Sequence, residues 1–217
     1  MSERIGIVGS GPVGKALGRG FTARGHEVVI GSREPERADL VRWREEVGTA
    51  GCTFSDAEAA RFGEIVVFAV SWEGLESAIR LAGEENLRGK IVIDCTNPLR
   101  HHGAGMDLAL GWNDSAGELV QRLLPDARVV KTFNHTGSAV MVDPDLPCAP
   151  PTMFLCGDDA GAKERVAGLL HDFGWESLDV GGIQRSRLLE PLGMLWILYG
   201  QASGRWDHAY KVLRPEA

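Results

Sequence analysis

The stretch from Arg4 to Arg37, RIGIVGSGPVGKALGRGFTARGHEVVIGSREPER, constrains the fold more than any other part of the chain. Arg4 to Val8 is a short apolar run rich in branched residues and reads as a buried strand. Gly9, Ser10, Gly11, Pro12, Val13 and Gly14 follow at once, in G-x-G-x-x-G spacing. Lys15 to Arg24 carries apolar residues at helical intervals (Ala16, Leu17, Phe21), and Glu27 to Ile30 reads as a second strand. Each glycine has a mechanical task. Gly9 permits the tight turn, Gly11 lets the backbone approach a pyrophosphate, and Gly14 lets the helix pack closely on the sheet. The pyrophosphate would rest on unpaired N–H groups at the positive end of the helix. A glycine fingerprint alone is common, but one set inside a β-α-β unit points to a dinucleotide.

The end of the second strand selects between NAD and NADP. NAD-selective sites usually place Asp or Glu here, against the ribose 2′-hydroxyl. This chain has Ser32 and Arg33, with Arg37 four residues on. A carboxylate would repel a 2′-phosphate, whereas a hydroxyl and two guanidinium groups would hold it. At about 1.5–3 kcal/mol for each charge-assisted bond, two such bonds would favour NADP by roughly a hundredfold or more. Glu34 and Glu36 count against such a clamp, unless they are solvated first-turn acids of the next helix. Arg33 and Arg37 could also be ordinary charged surface.

The net charge of −7 argues against a general nucleic-acid binder, so any anion site must be local. Cys52, Cys95, Cys148 and Cys156 show no zinc spacing and fit reduced, buried thiols of a cytoplasmic protein. The chain enters its first strand directly, without a secretory signal pattern, and no apolar run reaches membrane-spanning length. The best candidate, Leu188 to Tyr199, is short and contains Glu190 and Pro191.

Further elements follow from periodicity and punctuation. Helices are expected at Pro35 to Val47, at Ser55 to Arg61 behind a Ser55/Glu58 capping box, and along Leu75, Ala78, Ile79 and Ala82. Others open at Ser115, run through Ala162, Val166, Leu169, Leu170 and Phe173, and span Arg187 to about Arg205. Strands are expected at Cys52–Phe54, Glu64–Val70, Lys90–Asp94, Arg128–Phe133, Thr152–Cys156 and Glu176–Val180. Leu99 to Asp114 reads as a long loop, and Asp143 to Pro151 as a connector. The alternation predicts an α/β fold with a doubly wound parallel sheet, the NAD(P)-binding Rossmann fold. It forms one domain over 1–217, with a dinucleotide-binding core at 1–142 and a C-terminal α/β extension at 152–217. Ligands of such sheets bind beyond the carboxyl ends of the strands. That singles out Ser71 and Trp72, Asn97 and Pro98, and Asn134 and His135.

The chain resembles the coenzyme F420-dependent NADP oxidoreductases, whose acceptor is a deazaflavin. It is also similar to the cytoplasmic NADPH domain of the six-transmembrane metalloreductases. The segments that carry the resemblance span nearly the whole chain: GIVGSGPVGKAL, HEVVIGSREPERA, FAVSWEGLESAI, LRGKIVIDCTNPL, SAGELVQRLLPDARVVKTFN, FLCGDDAGAKERV and SRLLEPL. It implies that Ser10 lies in the phosphate loop and that Ser32, Arg33 and Arg37 clamp the 2′-phosphate. It further implies that Val70, Ser71, Trp72, Asn97 and Pro98 line the nicotinamide side. Asn134 to Thr136 would flank the second redox cofactor, with Ser186, Arg187 and Leu188 matching a C-terminal motif. Pro191 and Gly193 stand where the deazaflavin reductases carry hydroxyl residues, and Phe133-Asn134 looks more like the metalloreductase branch.

The expected activity is hydride transfer between NADP and a deazaflavin (F420) or a flavin (FMN or FAD). Two stacked planar rings need no side-chain nucleophile for that. His135 could donate a proton to a reduced ring, or be a satisfied histidine in a strand-end turn. Arg187 could pair with an acidic tail or phosphate of the partner cofactor, or be unliganded. His101, His102 and Asp107 are too few to predict a metal site. A reductase of a small carbonyl or imine, and a non-catalytic NADP-binding redox module, are the alternatives. The partner is a small redox molecule, not nucleic acid or a membrane, and the apolar stretch Leu188 to Tyr199 predicts a homodimer.

Overall fold

The structure is a computed structural model and describes residues 2–103, 105–147 and 150–215. The glycine-rich unit forms β1 (Arg4–Val8), α1 (Pro12–Ala23) and β2 (Glu27–Gly31). Then follow α2 (Ala38–Val47), β3 (Gly51–Phe54), α3 (Asp56–Phe62), β4 (Ile65–Phe68), α4 (Leu75–Ala82) and β5 (Ile91–Asp94). A hairpin, β6 (Leu99–His102) and β7 (Gly105–Leu108), precedes α5 (Ala116–Leu123) and β8 (Arg128–Lys131). The chain continues with β9 (Thr152–Gly157), α6 (Ala160–Asp172), β10 (Glu176–Asp179) and α7 (Ser186–Ser203).

Eight strands make one sheet in the order β10-β9-β8-β5-β4-β1-β2-β3. Alternate residues of each strand face opposite sides. Ile5, Ile7, Ile65, Val67, Ile91 and Ile93 pack with α1, α2 and α6, through Leu17, Phe21, Trp43, Leu170 and Phe173. Val66, Phe68, Val92 and Val129 pack on the other face with Ala60, Leu75, Ile79, Val120 and Leu124. Both faces are covered, which is why the strands read as continuous apolar runs. The doubly wound α/β fold is as expected, with one difference. β9 runs antiparallel to β8, sharing only Val130↔Gly157 and Lys131↔Cys156. A parallel neighbour needs a crossover, usually helical, and the connector from 132 to 151 has no helix among its described residues.

Three local expectations are corrected. Residues 99–114 contain a hairpin, held by Arg100 and His102 against Asp107 at 3.1 and 3.2 Å and turned at Gly103, φ +50°. Its strands, LRHH and GMDL, lack alternation, so the pattern was invisible. Helix α2 begins at Ala38, because Arg37 is still extended (φ −58°, ψ 138°). Glu34 and Glu36 therefore precede the helix, and Glu36 pairs with Arg44 at 2.7 Å. Cys52 is exposed rather than buried, while Cys156 is buried; Cys148 lies outside the described residues.

Beside the sheet's carboxyl edge sits a buried ionic cluster. Asp94 and Lys131 close β5 and β8 in register. The fully buried Lys131 ammonium lies 2.8 Å from Asp94 Oδ2 and 3.0 Å from Glu190 Oε1 on α7, and donates to Thr96 O at 2.5 Å. Glu190 also accepts from the N–H groups of Ala116 and Gly117, both at 3.1 Å, at the start of α5. Burial opposes the charge on Lys131, but Asp94 and then Glu190 outweigh it and hold its pKa above the ordinary value. Removing one member of such a cluster leaves the others buried without compensation. Lys131→Met should lower the unfolding free energy in urea by about 3–5 kcal/mol. A loss near zero would mean that the cluster does not tie these elements together.

Candidate dinucleotide site

Three neighbouring strands, β2, β1 and β4, end on one cavity of about 320 Å³. From β1 it receives Gly9, Ser10 and Gly11; from β2, Gly31, Ser32, Arg33, Glu34 and Arg37; from β4, Ala69, Val70 and Ser71. The glycine turn is built as the spacing requires. Gly9 has φ +119°, and a Cβ at Gly14 would overlap the Gly9 carbonyl. At Gly11 a Cβ would meet nothing, so the backbone there is open to approach. Pro12 opens α1, with Val13 and Gly14 in its first turn. No side chain caps that end of the helix and no acid lies in its first turn. Its free N–H groups and positive dipole end are thus available to an anion, which fits a pyrophosphate.

The clamp residues are tied to this turn. Arg37 Nη2 donates to Ser10 O at 3.1 Å, and Ser10 Oγ lies 3.3 Å from the buried Ser32 Oγ. Ser32 Oγ accepts from the Glu34 N–H at 3.1 Å. Asp39 bridges Arg37 (2.5 Å) and Lys15 (2.6 Å), and those two partners, Arg37 first, hold its carboxyl below the usual range. Arg33 is exposed at the rim. The cluster therefore lies beside the glycine turn in the same cavity, where it can receive a second anion. Sequence reasoning missed Asp56, Gly74, Ser77, Ala78 and Leu81, which also line this cavity. Ala78 enters the sequence reading only as one position of the α4 helix face. The only available signal was the helical spacing of 74, 77/78 and 81.

The remaining candidates lie elsewhere. Trp72 starts a 3-10 turn and packs against the core on the α3–α4 face, outside the cavity. Asn97 and Asn134 pair with each other. Asn97 Nδ2 donates to Asn134 O at 2.6 Å, while Asn134 Nδ2 donates to Asn97 Oδ1 at 2.9 Å and to Leu189 O at 2.8 Å. Pro98 is buried beside them. Gly193 on α7 lets the helix approach this pair, since a Cβ would come 2.7 Å from both Asn134 O and Asn97 Oδ1. A hydroxyl side chain could not stand there without moving the helix.

Arg187 makes a two-pronged pair with Glu118, at 2.8 and 2.6 Å. Glu118 in turn accepts from Ser115 Oγ at 2.7 Å. Arg187 borders a second cavity of about 570 Å³, along with Trp112, Asp158, Gln184, Arg185 and Leu188.

His135 is 2% exposed. Its Nδ1 lies 3.2 Å from Asn134 Oδ1, and its Nε2 accepts from the Phe154 N–H at 3.2 Å. This is the satisfied histidine of a strand-end turn, with neither ring nitrogen free for a ligand. Burial, then the nearby Lys131 charge, lowers its pKa to about 3.

The family model for NADP oxidoreductases, coenzyme F420-dependent, matches residues 4–98. The structure of a candidate F420-dependent NADP reductase from Arthrobacter sp. FB24 superposes with a TM-score of 0.92 at 36% identity, covering 98% of this chain and 100% of that one. The F420-dependent NADP reductase of Methanocaldococcus jannaschii is 29% identical over 81% of this chain and 82% of its own. Metalloreductase STEAP3 of Rattus norvegicus is 32% identical over 89% of this chain, which spans 37% of that longer protein. With its glycine turn and basic clamp, the chain belongs to the family of F420-dependent NADP oxidoreductases. It is an NADP-dependent oxidoreductase. Among the described residues, no helix is long and apolar enough to cross a membrane.

The His135 environment predicts an acid limb of stability. The unfolded chain takes up a proton near pH 6.5, while the folded imidazole resists until about pH 3. The stability that neutral His135 contributes is therefore complete above pH 6.5 and is lost as pH falls toward 3. His135→Asn should flatten that limb in urea unfolding measured across this range. An unchanged slope would place the proton uptake on other groups.

Proposed function

We propose that the protein passes hydride between NADP and coenzyme F420. The observation that carries the reading is the joint cavity of the glycine turn and the Ser32–Arg33–Arg37 clamp. Similarity to deazaflavin reductases along nearly the whole chain supports the acceptor. The N–H groups of the first turn of α1 hold the pyrophosphate, and Ser32, Arg33 and Arg37 hold the 2′-phosphate. In the sheet, β4 is followed by β5 and β8. A dinucleotide laid from β2 across β1 and β4 therefore delivers its nicotinamide to the side of Ser71, Asn97, Pro98 and Asn134.

Bound NADP supplies the nicotinamide carbon that gives up or accepts the hydride. The chain positions the two rings and excludes water. The closed hydrogen bonding of His135 supports a transfer that draws no proton from it. Arg185 offers a cationic group on the second cavity to the acidic tail of a deazaflavin, beside Arg187, whose guanidinium Glu118 already holds. NADPH oxidation should be rapid with F420, slow with FMN or FAD, and faster than NADH oxidation with the same acceptor. Turnover with a flavin alone would move the chain toward the metalloreductases. Turnover with neither, but with a small carbonyl or imine, would replace this reading.

We also infer a homodimer through α7. Leu188, Leu195, Leu198 and Tyr199 are each about half exposed, and they fall on one side of the helix. From Pro191 to Ser203 the helix has no charged side chain, so two copies can meet there without burying like charges. Sedimentation should give a dimer in the wild type and a monomer in Leu195→Glu. A wild-type monomer at high concentration would remove the inference.

A further inference from the structure

The dinucleotide cavity extends past its clamp. Ser77, Ala78 and Leu81 on α4 form one wall, and Asp56, at the first turn of α3, forms another. None of them belongs to the glycine turn or to the Ser32–Arg33–Arg37 cluster. Leu81 is 49% exposed, and with Ala78 one turn before it presents a small apolar face to the cavity. Asp56 packs against the end of β2, where a Cβ on Gly31 would come 2.6 Å from its Oδ1. Its carboxylate is half buried. Burial and then the Arg33 charge act on it, and no hydrogen bond from the described residues does. No donor among the described residues reaches this carboxylate, which is left to solvent on the cavity wall and open to a ligand donor.

The clamp determines where a base would lie. A 2′-phosphate on Ser32, Arg33 and Arg37 fixes the ribose, and the 5′ side of that ribose must lead back to the glycine turn. The base leaves the ribose on its remaining side. There the cavity offers the planar Arg33 guanidinium at the rim and the Ala78–Leu81 face. A purine fits between such surfaces, with guanidinium stacking on one side and apolar contact on the other. Its edge then meets Asp56. The adenine edge carries a 6-amino group, a donor for which a carboxylate is the complement.

We propose that Asp56 reads the adenine base, accepting a hydrogen bond from its 6-amino group. The proposal rests on the reading that this cavity holds the adenosine 2′-phosphate half of NADP. Asp56 is thereby a specificity residue for the nucleotide rather than part of hydride transfer. It selects adenine against a purine that presents a carbonyl at the same position, because two acceptors would face each other.

The test compares equilibrium binding of NADPH with that of its hypoxanthine analogue, deamino-NADPH, followed by nucleotide fluorescence without any acceptor. The wild type should bind NADPH about tenfold more tightly, the scale of one hydrogen bond to a charged group. Asp56→Asn presents an amide that can accept or donate, so the preference should shrink to about parity. Leu81→Ala should weaken both nucleotides alike and keep the preference. Equal wild-type affinities would overturn the proposal, as would a tenfold preference surviving in Asp56→Asn. The wild-type comparison needs no variant to fold. Arg33→Ala tests the underlying reading separately, and should weaken NADPH far more than NADH. Indifference of NADPH to Arg33 would overturn both the clamp and the Asp56 assignment. An Arg33 effect without base discrimination would overturn Asp56 alone.

Discussion

A charged ammonium buried where two strands end is the constraint on which the second half of the molecule depends. Lys131 cannot be solvated, so its charge must be met by protein groups. Asp94 comes from the neighbouring strand, Thr96 O from the turn after it, and Glu190 from the last helix. Glu190 brings in α5 through that helix's first N–H groups, where a negative charge is also favourable. Four elements and one strand-end turn thus converge on a single cation. That turn carries Asn97, whose pairing with Asn134 and close contact with Gly193 continue the same assembly. The position of the strand ends beyond β4 is therefore set by a buried electrostatic node, without reference to any ligand.

The dinucleotide half depends on a different constraint, the nearness of backbone to backbone. Gly9 and Gly14 bring α1 against the strand end. That contact leaves the helix's first amides pointing into the cavity with no internal partner. The basic residues around it are not independent charges. Asp39 holds Lys15 and Arg37 together, and Arg37 is anchored on the backbone of Ser10. An overall acidic chain can in this way keep a local anion site, its positive groups gathered at one end of two strands.

Much of this was legible from the residues alone. Apolar strands with glycine and proline punctuation marked the sheet, and Ser55 with Glu58 does form the capping box that their spacing announced. The glycine turn, Ser32, Arg33 and Arg37 line one cavity, because their positions follow from local chain geometry. What was hidden depends on distant pairing. The β6–β7 hairpin has no alternating pattern, and its strands are held by the contacts of Arg100 and His102 with Asp107. The antiparallel placement of β9 reflects a missing crossover helix, not a property of Thr152 to Gly157 itself. Lys131 and Asp94 looked like polar ends of apolar strands, and Glu190 like an interruption in an apolar helix. Nothing local says that the three meet. Trp72 and His135 were attractive because they follow strands, yet residues just after a strand can turn into the core as readily as into the cleft.

The two-pair ladder between β8 and β9 also bears on how the molecule opens. Elsewhere in the sheet, neighbouring strands share four or five registered pairs, whereas this seam has Val130↔Gly157 and Lys131↔Cys156. Backbone cooperativity crosses it weakly, and the contacts of Phe173 with Phe21 and Phe133 add to the side-chain packing that connects the two sides. Fluctuations that separate the sheet would follow this line. The amides of β9 and β10 would then become exposed to solvent exchange as one block, while those of β1 to β5 stay protected.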